Sequence, residues 1–355
     1  MVFEIPPLIL NILINFAIGL IITVSLNLEV GIAGIPQFGR VLAVIIGAIV
    51  AAAIPGRLLA LSMGLPYGAD YAFHLYNFKI VYEINGVLQS NVILSIGVLL
   101  STLAMAAIIG GLIGYVCSYP ALRLKEAYLG ITLLAFGDVV QTIAWNYDPL
   151  AGATQGVMVP DVFGWIGLGP GRYLGLILIL LGFGLLAFIL VEFLIRSPFG
   201  RALKAMRDSE VAAKVYGKDI IRLRAEALIV GGALAAIGGA LWAFYAGHFK
   251  AVTYTRLTWT FWPWAFMMLG GTGNNLGVLL GVLLYTVART VIILYKGALT
   301  AIIPIEPEWL EYIMIGLVII IIALFRPQGI IPEKPVLTLP KSKIKTIAES
   351  LKEYQ

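Results

Sequence analysis

The sequence predicts an all-α membrane protein: a polytopic helical bundle of about 8–10 transmembrane helices, some of them broken or re-entrant. Three observations carry this. The 355 residues are 60% hydrophobic and only 12% charged, with a mean hydropathy of +0.97. Soluble domains sit nearer half apolar and about a quarter charged, so the excess must face something other than water. The apolar residues come in long charge-free blocks: Ile5–Leu28, Ile84–Leu122, Tyr173–Val191, Ala227–Phe249 and Leu257–Ala288, of 24, 39, 19, 23 and 32 residues. Roughly 20 apolar residues carry a helix across the hydrocarbon core, and backbone polar groups in lipid must be satisfied within the segment. Finally, 14 of the 24 basic residues lie in two clusters, Arg196–Arg224 and the tail from Arg326.

Element by element, the pattern places helices at about 7–28, 41–63, 91–118, 127–145, 172–195, 225–247, 258–271, 276–296 and 309–325. Basic loops stay in the cytoplasm, which puts both clusters, the C-terminus and the Arg123–Lys125 stretch inside. The stretches 64–90, 146–171 and 297–308 then fall outside, together with the N-terminus. Residues 1–330 form one transmembrane domain, and 331–355 form a cytoplasmic tail, loosely ordered up to a short terminal helix because Pro and Lys build no core. The first block lacks a basic leader and a small-residue cleavage site and reads as a retained helix. Trp259, Trp262 and Trp264 read as an interfacial belt, and Arg289 as a side chain snorkelling from the outer end of its helix.

The helices carry small residues at three- and four-residue spacing, such as Gly110, Gly114, Gly231, Gly238, Gly277 and Gly281. Close helix packing accounts for most of them. A faint repeat relates Ala106–Gly137 to Ala235–Gly271. The single cysteine, Cys117, excludes an internal disulfide, and His74 and His248 fit no metal-ligand spacing. No phosphate-binding Gly-x-x-x-x-Gly-Lys-Ser/Thr loop, Gly-x-Ser-x-Gly elbow or His-Glu-x-x-His motif occurs, so no catalytic or metal residue is assigned and any ATP is used by a partner. Asp138, inside an apolar helix, is a candidate for transport and equally for a structural hydrogen bond.

The most informative stretch is Ser197–Gly217. It alternates in charge, offers small apolar faces (Ala202, Ala205, Met206, Ala212, Ala213, Tyr216) at helical spacing, and ends on Gly217, a natural C-cap. Such a short amphipathic helix can dock in a partner's groove, or it can be a solvated loop whose charge only sets topology.

Glu210-Val211-Ala212-Ala213 followed by Gly217 resembles the EAA loop of ABC importer permeases, the coupling helix that seats in the ATPase. The longer run, with Gly200, Arg201, Arg207 and Asp208, resembles the branched-chain amino acid permease family of the LivH/LivM type, nearer LivM. Four further segments match that family in order: Asn27-Leu28 with Gly31 and Gly34; Arg123 through Tyr128, Thr132 and Phe136-Gly137-Asp138; Leu269-Gly270-Gly271-Thr272-Gly273; and Phe325-Arg326-Pro327-Gln328-Gly329.

The resemblance implies a permease subunit for leucine, isoleucine and valine in the cell membrane. It also implies two separate ATPase subunits, a second homologous permease subunit, and an extracytoplasmic binding protein. ATPase coupling would fall to Gly200, Arg201, Arg207, Asp208, Glu210, Ala212, Ala213 and Gly217. The substrate path would fall to Asn27, Gly31, Gly34, Thr132, Phe136, Gly137, Asp138, Thr154, Gly156, Gly270, Gly271 and Gly273. Two segments depart from the family pattern: Thr154-Gln155-Gly156 stands where Thr-Gly-Gly is usual, and Pro36-Gln37-Phe38-Gly39-Arg40 replaces a small polar residue before Gly-His. An ion-coupled secondary transporter is the alternative reading, with Asp138 as its one clear candidate group. An intramembrane enzyme would need paired carboxylates or histidines, which are lacking. Nothing points to nucleic acid.

Overall fold

A computed structural model describes residues 7–333, apart from 67, 125, 168 and 296–306. The tail from residue 334 and most of the 297–308 stretch therefore lie outside the described residues. Among those described, regular structure is helical except for one two-residue ribbon.

Helix α1 (Pro7–Asn27) runs into a π turn at Leu28–Ile32, and α2 (Arg40–Ser62) returns alongside it. Next come α3 (His74–Ser90), α4 (Val92–Arg123), α5 (Glu126–Asn146), the single turn α6 (Asp148–Ala151) and α7 (Pro170–Arg196). The basic loop follows, as α8 (Pro198–Asp208) and α9 (Glu210–Val215). The chain then forms α10 (Ile220–Ala246), a π turn at Leu257–Phe261 leading into α11 (Trp262–Gly270), α12 (Asn275–Leu294) and α13 (Pro307–Phe325). All nine expected segments are helical. Among the described residues, seven helices are long and apolar enough to cross a membrane: α1 with its π turn, α2, α4, α5, α7, α10 and α12. The protein is thus a multi-pass, all-α membrane protein.

Helix α10 is the axis. It packs against α4 on one side and α2 on the other, with α1 beside it. The approach is close enough that a Cβ on Gly232 would stand 2.6 Å from the Gly110 carbonyl oxygen, and one on Gly114 would stand 2.1 Å from that of Leu228. Only glycine fits there, and backbone proximity is what holds helices together where lipid offers no hydrophobic drive. The most apolar windows of α2 and α10 are 78% and 72% buried, against 28% for α4, 28% for α5 and 33% for α7. The last three form the rim, with exposed apolar faces such as Leu112, Leu178 and Phe193 turned outward.

Two expectations are corrected. Residues 64–90, where no helix was expected, hold α3 in their second half, burying Ile80, Val81, Ile84 and Leu88. Lys79 and Glu83 on its exposed side break the hydropathy signal without breaking the helix. It caps the bundle end opposite the basic loop, where Asn77 accepts from the Met158 amide at 2.7 Å and Tyr71 donates to the Met158 carbonyl at 2.8 Å. Burial pushes the Tyr71 hydroxyl pKa well above the ordinary tyrosine range. Met158 belongs to the antiparallel ribbon β1 (Val157–Met158) and β2 (His248–Phe249). The second correction concerns the tryptophans. Trp259 and Trp262 are buried inside the chain, and Trp264 stacks on Phe38 at 4.6 Å while donating to the Gln37 carbonyl. Trp259 lies within the π turn at Leu257–Phe261, and Trp262 and Trp264 follow it in α11.

One polar contact fixes the inner geometry. Glu29, on the π turn, and Arg40, the first residue of α2, form a 2.5 Å ion pair at 0% and 1% exposure. Arg40 also donates to the Gly231 carbonyl of α10 at 2.9 Å. The absence of a side chain at Gly231 makes room for Glu29, since a Cβ would stand 1.9 Å from its carboxylate. One pair thereby joins α1, α2 and α10. Removing one partner of a buried pair strands the other charge, which costs about 3–5 kcal/mol, whereas replacing both is far milder. Arg40→Met is expected to lower the thermal unfolding temperature of the detergent-purified protein sharply, and Glu29→Gln combined with Arg40→Met to recover roughly half of the loss or more.

Candidate functional site: the junction of the basic loop with the broken helices

The basic loop is two helices rather than one. Ser197 caps α8, its hydroxyl accepting from the Gly200 amide, and Pro198 follows at the first helical position. Ser209, in extended conformation, ends α8 and caps α9 by accepting from the Ala212 amide at 3.3 Å. Helix α8 is strongly amphipathic: Ala202, Leu203 and Met206 are buried against the bundle, while Arg201 stays in solvent. At Gly200 a Cβ would collide with the Ile195 carbonyl, so the turn from α7 into α8 requires glycine.

On α9, Ala213 is buried against its own chain and Ala212 is exposed, so of that pair only Ala212 is available to a partner. Val211, Val215 and Tyr216 project outward, at 75%, 80% and 83% exposure. Glu210 is paired internally with Arg224. Gly217 adopts φ +72°, a left-handed cap with open space around it.

Arg207 links this loop to the helix breaks. Its guanidinium donates to the Gly31 carbonyl at 2.5 Å and to Glu333 at 2.8 Å, and it contacts Asp208 at 3.2 Å. Lys204 holds the other Glu333 oxygen at 2.7 Å. Burial alone would lower the Arg207 pKa; the Glu333 and Asp208 carboxylates outweigh it and raise the group further, so Arg207 stays charged. Gly34, at φ +71°, lies under the Arg207 side chain, where a Cβ would meet Cγ at 2.8 Å.

The second helix break meets the first at the same point. The Gly273 amide donates to Asn27 Oδ1 at 2.9 Å, and Asn27 donates to Asn275 at 2.9 Å. Asn275 in turn donates to Glu192 of α7 at 3.0 Å. Residues 326–333 run across the end of α11 as a strap, with Ile330 and Ile331 donating to the Leu269 and Gly270 carbonyls. The carbonyls orphaned where α11 stops are thus satisfied by the strap. At Gly271, φ is +130° and a Cβ would strike the Ile331 carbonyl. The C-terminal segment is therefore a structural part of the junction, at least as far as Glu333.

The twelve candidate path residues fall into three separate regions. Asn27, Gly31, Gly34, Gly270, Gly271 and Gly273 converge on the junction, beside Arg207. Thr132, Phe136, Gly137 and Asp138 lie along α5: the Thr132 hydroxyl donates to the Tyr128 carbonyl, Phe136 is partly exposed, and Gly137 packs on Val41. Asp138 faces Arg256 at 3.5 Å, both half in solvent. Thr154 is exposed at the opposite end, where Gly156, at φ +72°, lies against the Phe249 carbonyl.

Three contributors escaped the sequence reading. Glu29 and Arg40 lie just past the charge-free block that ends at Leu28, and Glu333 sits in what reads as a tail. Two opposite charges flanking a short apolar turn were the available signal for the first pair. No sequence pattern marks Glu333. Among the described residues no cluster of His, Cys, Asp and Glu could hold a metal ion.

Comparison with known proteins agrees with this architecture. The family model described as branched-chain amino acid transport system / permease component matches residues 8–323. The chain belongs to this permease family. It is 39% identical over 340 residues, 95% of its own length and 96% of the relative's, to the probable branched-chain amino acid transport permease protein LivM of Methanocaldococcus jannaschii. To the high-affinity branched-chain amino acid transport system permease protein LivM of Escherichia coli it is 26% identical, covering 79% of this chain and 65% of that one. The autoinducer 2 import system permease protein LsrC of Salmonella typhimurium is 28% identical, covering 67% and 71%. No solved structure matches.

The junction generates a prediction for the permease. Arg207→Ala and Glu333→Gln should each release the loop, so that amide hydrogen exchange over residues 198–215 accelerates roughly ten-fold, equivalent to losing about 1.4 kcal/mol of charge-assisted bonding. Asp208→Ala should change it little, because that carboxylate is mostly in solvent, at 69% exposure.

Proposed function

We propose that the chain is the permease subunit of an ATP-driven ABC importer and forms the transmembrane path for the branched-chain amino acids leucine, isoleucine and valine. The basic loop and the C-terminal strap lie on the cytoplasmic side, as the concentration of Lys and Arg favours. Two separate ATPase subunits dock on the loop, a second homologous permease subunit completes the path, and an extracytoplasmic binding protein delivers substrate. This chain supplies no ATP site of its own; the expected boundary at residue 330 moves to Glu333, which is bonded to the basic loop, and the residues after it form the cytoplasmic tail.

The observation that carries this reading is the bond network around Arg207. A partner pressing on the outward face of α9 moves α8, to which it is joined through Ser209. Helix α8 cannot move without pulling on the Gly31 carbonyl and on Glu333, and hence on both helix breaks. A solvated loop that merely set topology would need no such bonds. The ion-coupled alternative gains nothing from Asp138, which is paired with Arg256 near the surface of the bundle.

Reconstitution with the ATPase and binding-protein partners tests the proposal. Uptake of leucine, isoleucine and valine is expected to require ATP. Tyr216→Asp and Gly217→Val, the latter forcing a β-branched residue into a left-handed backbone, should leave membrane insertion intact and weaken ATPase association at least ten-fold. Normal uptake in both variants, or uptake that follows an ion gradient without ATP, would refute it.

A further inference from the structure

At the bundle end capped by α3, opposite the junction, a single cleft of ≈ 460 Å³ opens between the last turns of α2, the turn leading into α3, and α6. Arg57 of α2, Asp70 and Phe73 ahead of α3, and Asp148 of α6 stand in its wall. Arg57 is seventeen residues beyond Arg40, so at 1.5 Å per residue it lies about 25 Å along α2 from the Glu29–Arg40 pair. The volume is that of an ordinary small-molecule site.

The charges in this wall are unpaired. Arg57 is held on one side only: its Nη2 donates to the Pro149 carbonyl and, at 3.4 Å, to that of Leu150, which fixes the guanidinium against α6. Its Nε is buried without an acceptor, and Nη1 makes no bond among the described residues. Buried donors are nearly always satisfied, so a guanidinium left this way in a cleft wall lacks an acceptor. Asp70 and Asp148 are exposed in the same wall, and neither forms an ion pair among the described residues. Opposite charges gathered around one hollow, yet out of reach of one another, leave space for a ligand between them. A bare anion would meet Arg57 and be repelled by two carboxylates, and a bare cation would meet the reverse; a zwitterion answers both signs at once. Phe73, 41% exposed, with the Tyr76 ring 5.7 Å from its own, adds an apolar wall beside the charges.

We infer that this cleft is an outer reception site for a free α-amino acid with an apolar side chain. Arg57 Nη1 takes the carboxylate, Asp70 and Asp148 accept from the ammonium group, and Phe73 covers the side chain. The inference rests on the proposed amino-acid import, in which this end of the bundle faces arriving substrate, and it adds a place for the substrate remote from the glycine breaks. Two carboxylates against one guanidinium also give the cleft a specificity: a substrate with a second carboxylate is repelled.

The test uses the permease–ATPase complex in lipid nanodiscs, free of nucleotide and binding protein. Saturation-transfer NMR is recorded at equal millimolar concentration with leucine, with leucinamide, which lacks the carboxylate, and with 4-methylpentanoate, which lacks the ammonium group. Leucine is expected to give a signal and both analogues little. Arg57→Gln should reduce the leucine signal roughly ten-fold and erase the preference over leucinamide. Should that variant fail to assemble, because it also disturbs the bonds to Pro149 and Leu150, Asp70→Asn combined with Asp148→Asn decides. The pair leaves those bonds in place, and it should lower the leucine signal and erase the preference over 4-methylpentanoate. No leucine signal from the wild type, an analogue that equals leucine, or a wild-type signal from either assembled variant overturns the inference, even where ATP-driven leucine uptake is normal. Leucine binding that depends on Arg57 and the two aspartates, without ATP-driven uptake, upholds the site and overturns the importer reading instead.

Discussion

The inner half of this bundle depends on one ion pair. Glu29 and Arg40 are fully buried, eleven residues apart, on either side of the connection between α1 and α2. Buried charges in apolar surroundings persist only when paired, so each fixes the other's place. The pairing directs α1 into a π turn, starts α2 at Arg40 and ties both to the α10 backbone at Gly231. The positions of Gly31 and Gly34, and therefore the seat for Arg207, follow from that closure.

From this anchor the architecture reads outward as layers of decreasing constraint. Helices α2 and α10 touch backbone to backbone and have no freedom to separate. Helices α4, α5 and α7 have one committed face and one left apolar and exposed, suited to lipid or to another subunit. The basic loop is held more lightly still, by a buried stripe on α8 and by ionic contacts at its margin. Such a gradient suits a machine that must transmit movement: a stiff frame, and a peripheral lever bonded to it at a few defined atoms.

How much of this could be read in the sequence varied with the physics involved. Membrane helices announce themselves through length and hydropathy, because the bilayer imposes both, and all nine segments were found within a few residues. Helix α3 went unseen because a helix at the end of the bundle needs only one apolar stripe, and Lys79 and Glu83 interrupt a hydropathy window without interrupting that stripe. The tryptophans were misread because composition does not distinguish an indole buried between helices from one at a membrane interface. Among the candidate site residues, those around Arg207 and the glycine breaks came together, since tight backbone approaches demand glycine and leave a trace.

The strap has a consequence for the order in which the molecule is completed. Glu333 lies 126 residues downstream of Arg207 and follows α13. During synthesis α8 and α9 emerge early, yet Arg207 and Lys204 lack their shared carboxylate until α13 has been made and residues 326–333 have crossed α11. A chain stalled or cut before that point carries an unlatched lever. Closure of the contact between Arg207 and Glu333 thus reports that α12 and α13 have been made.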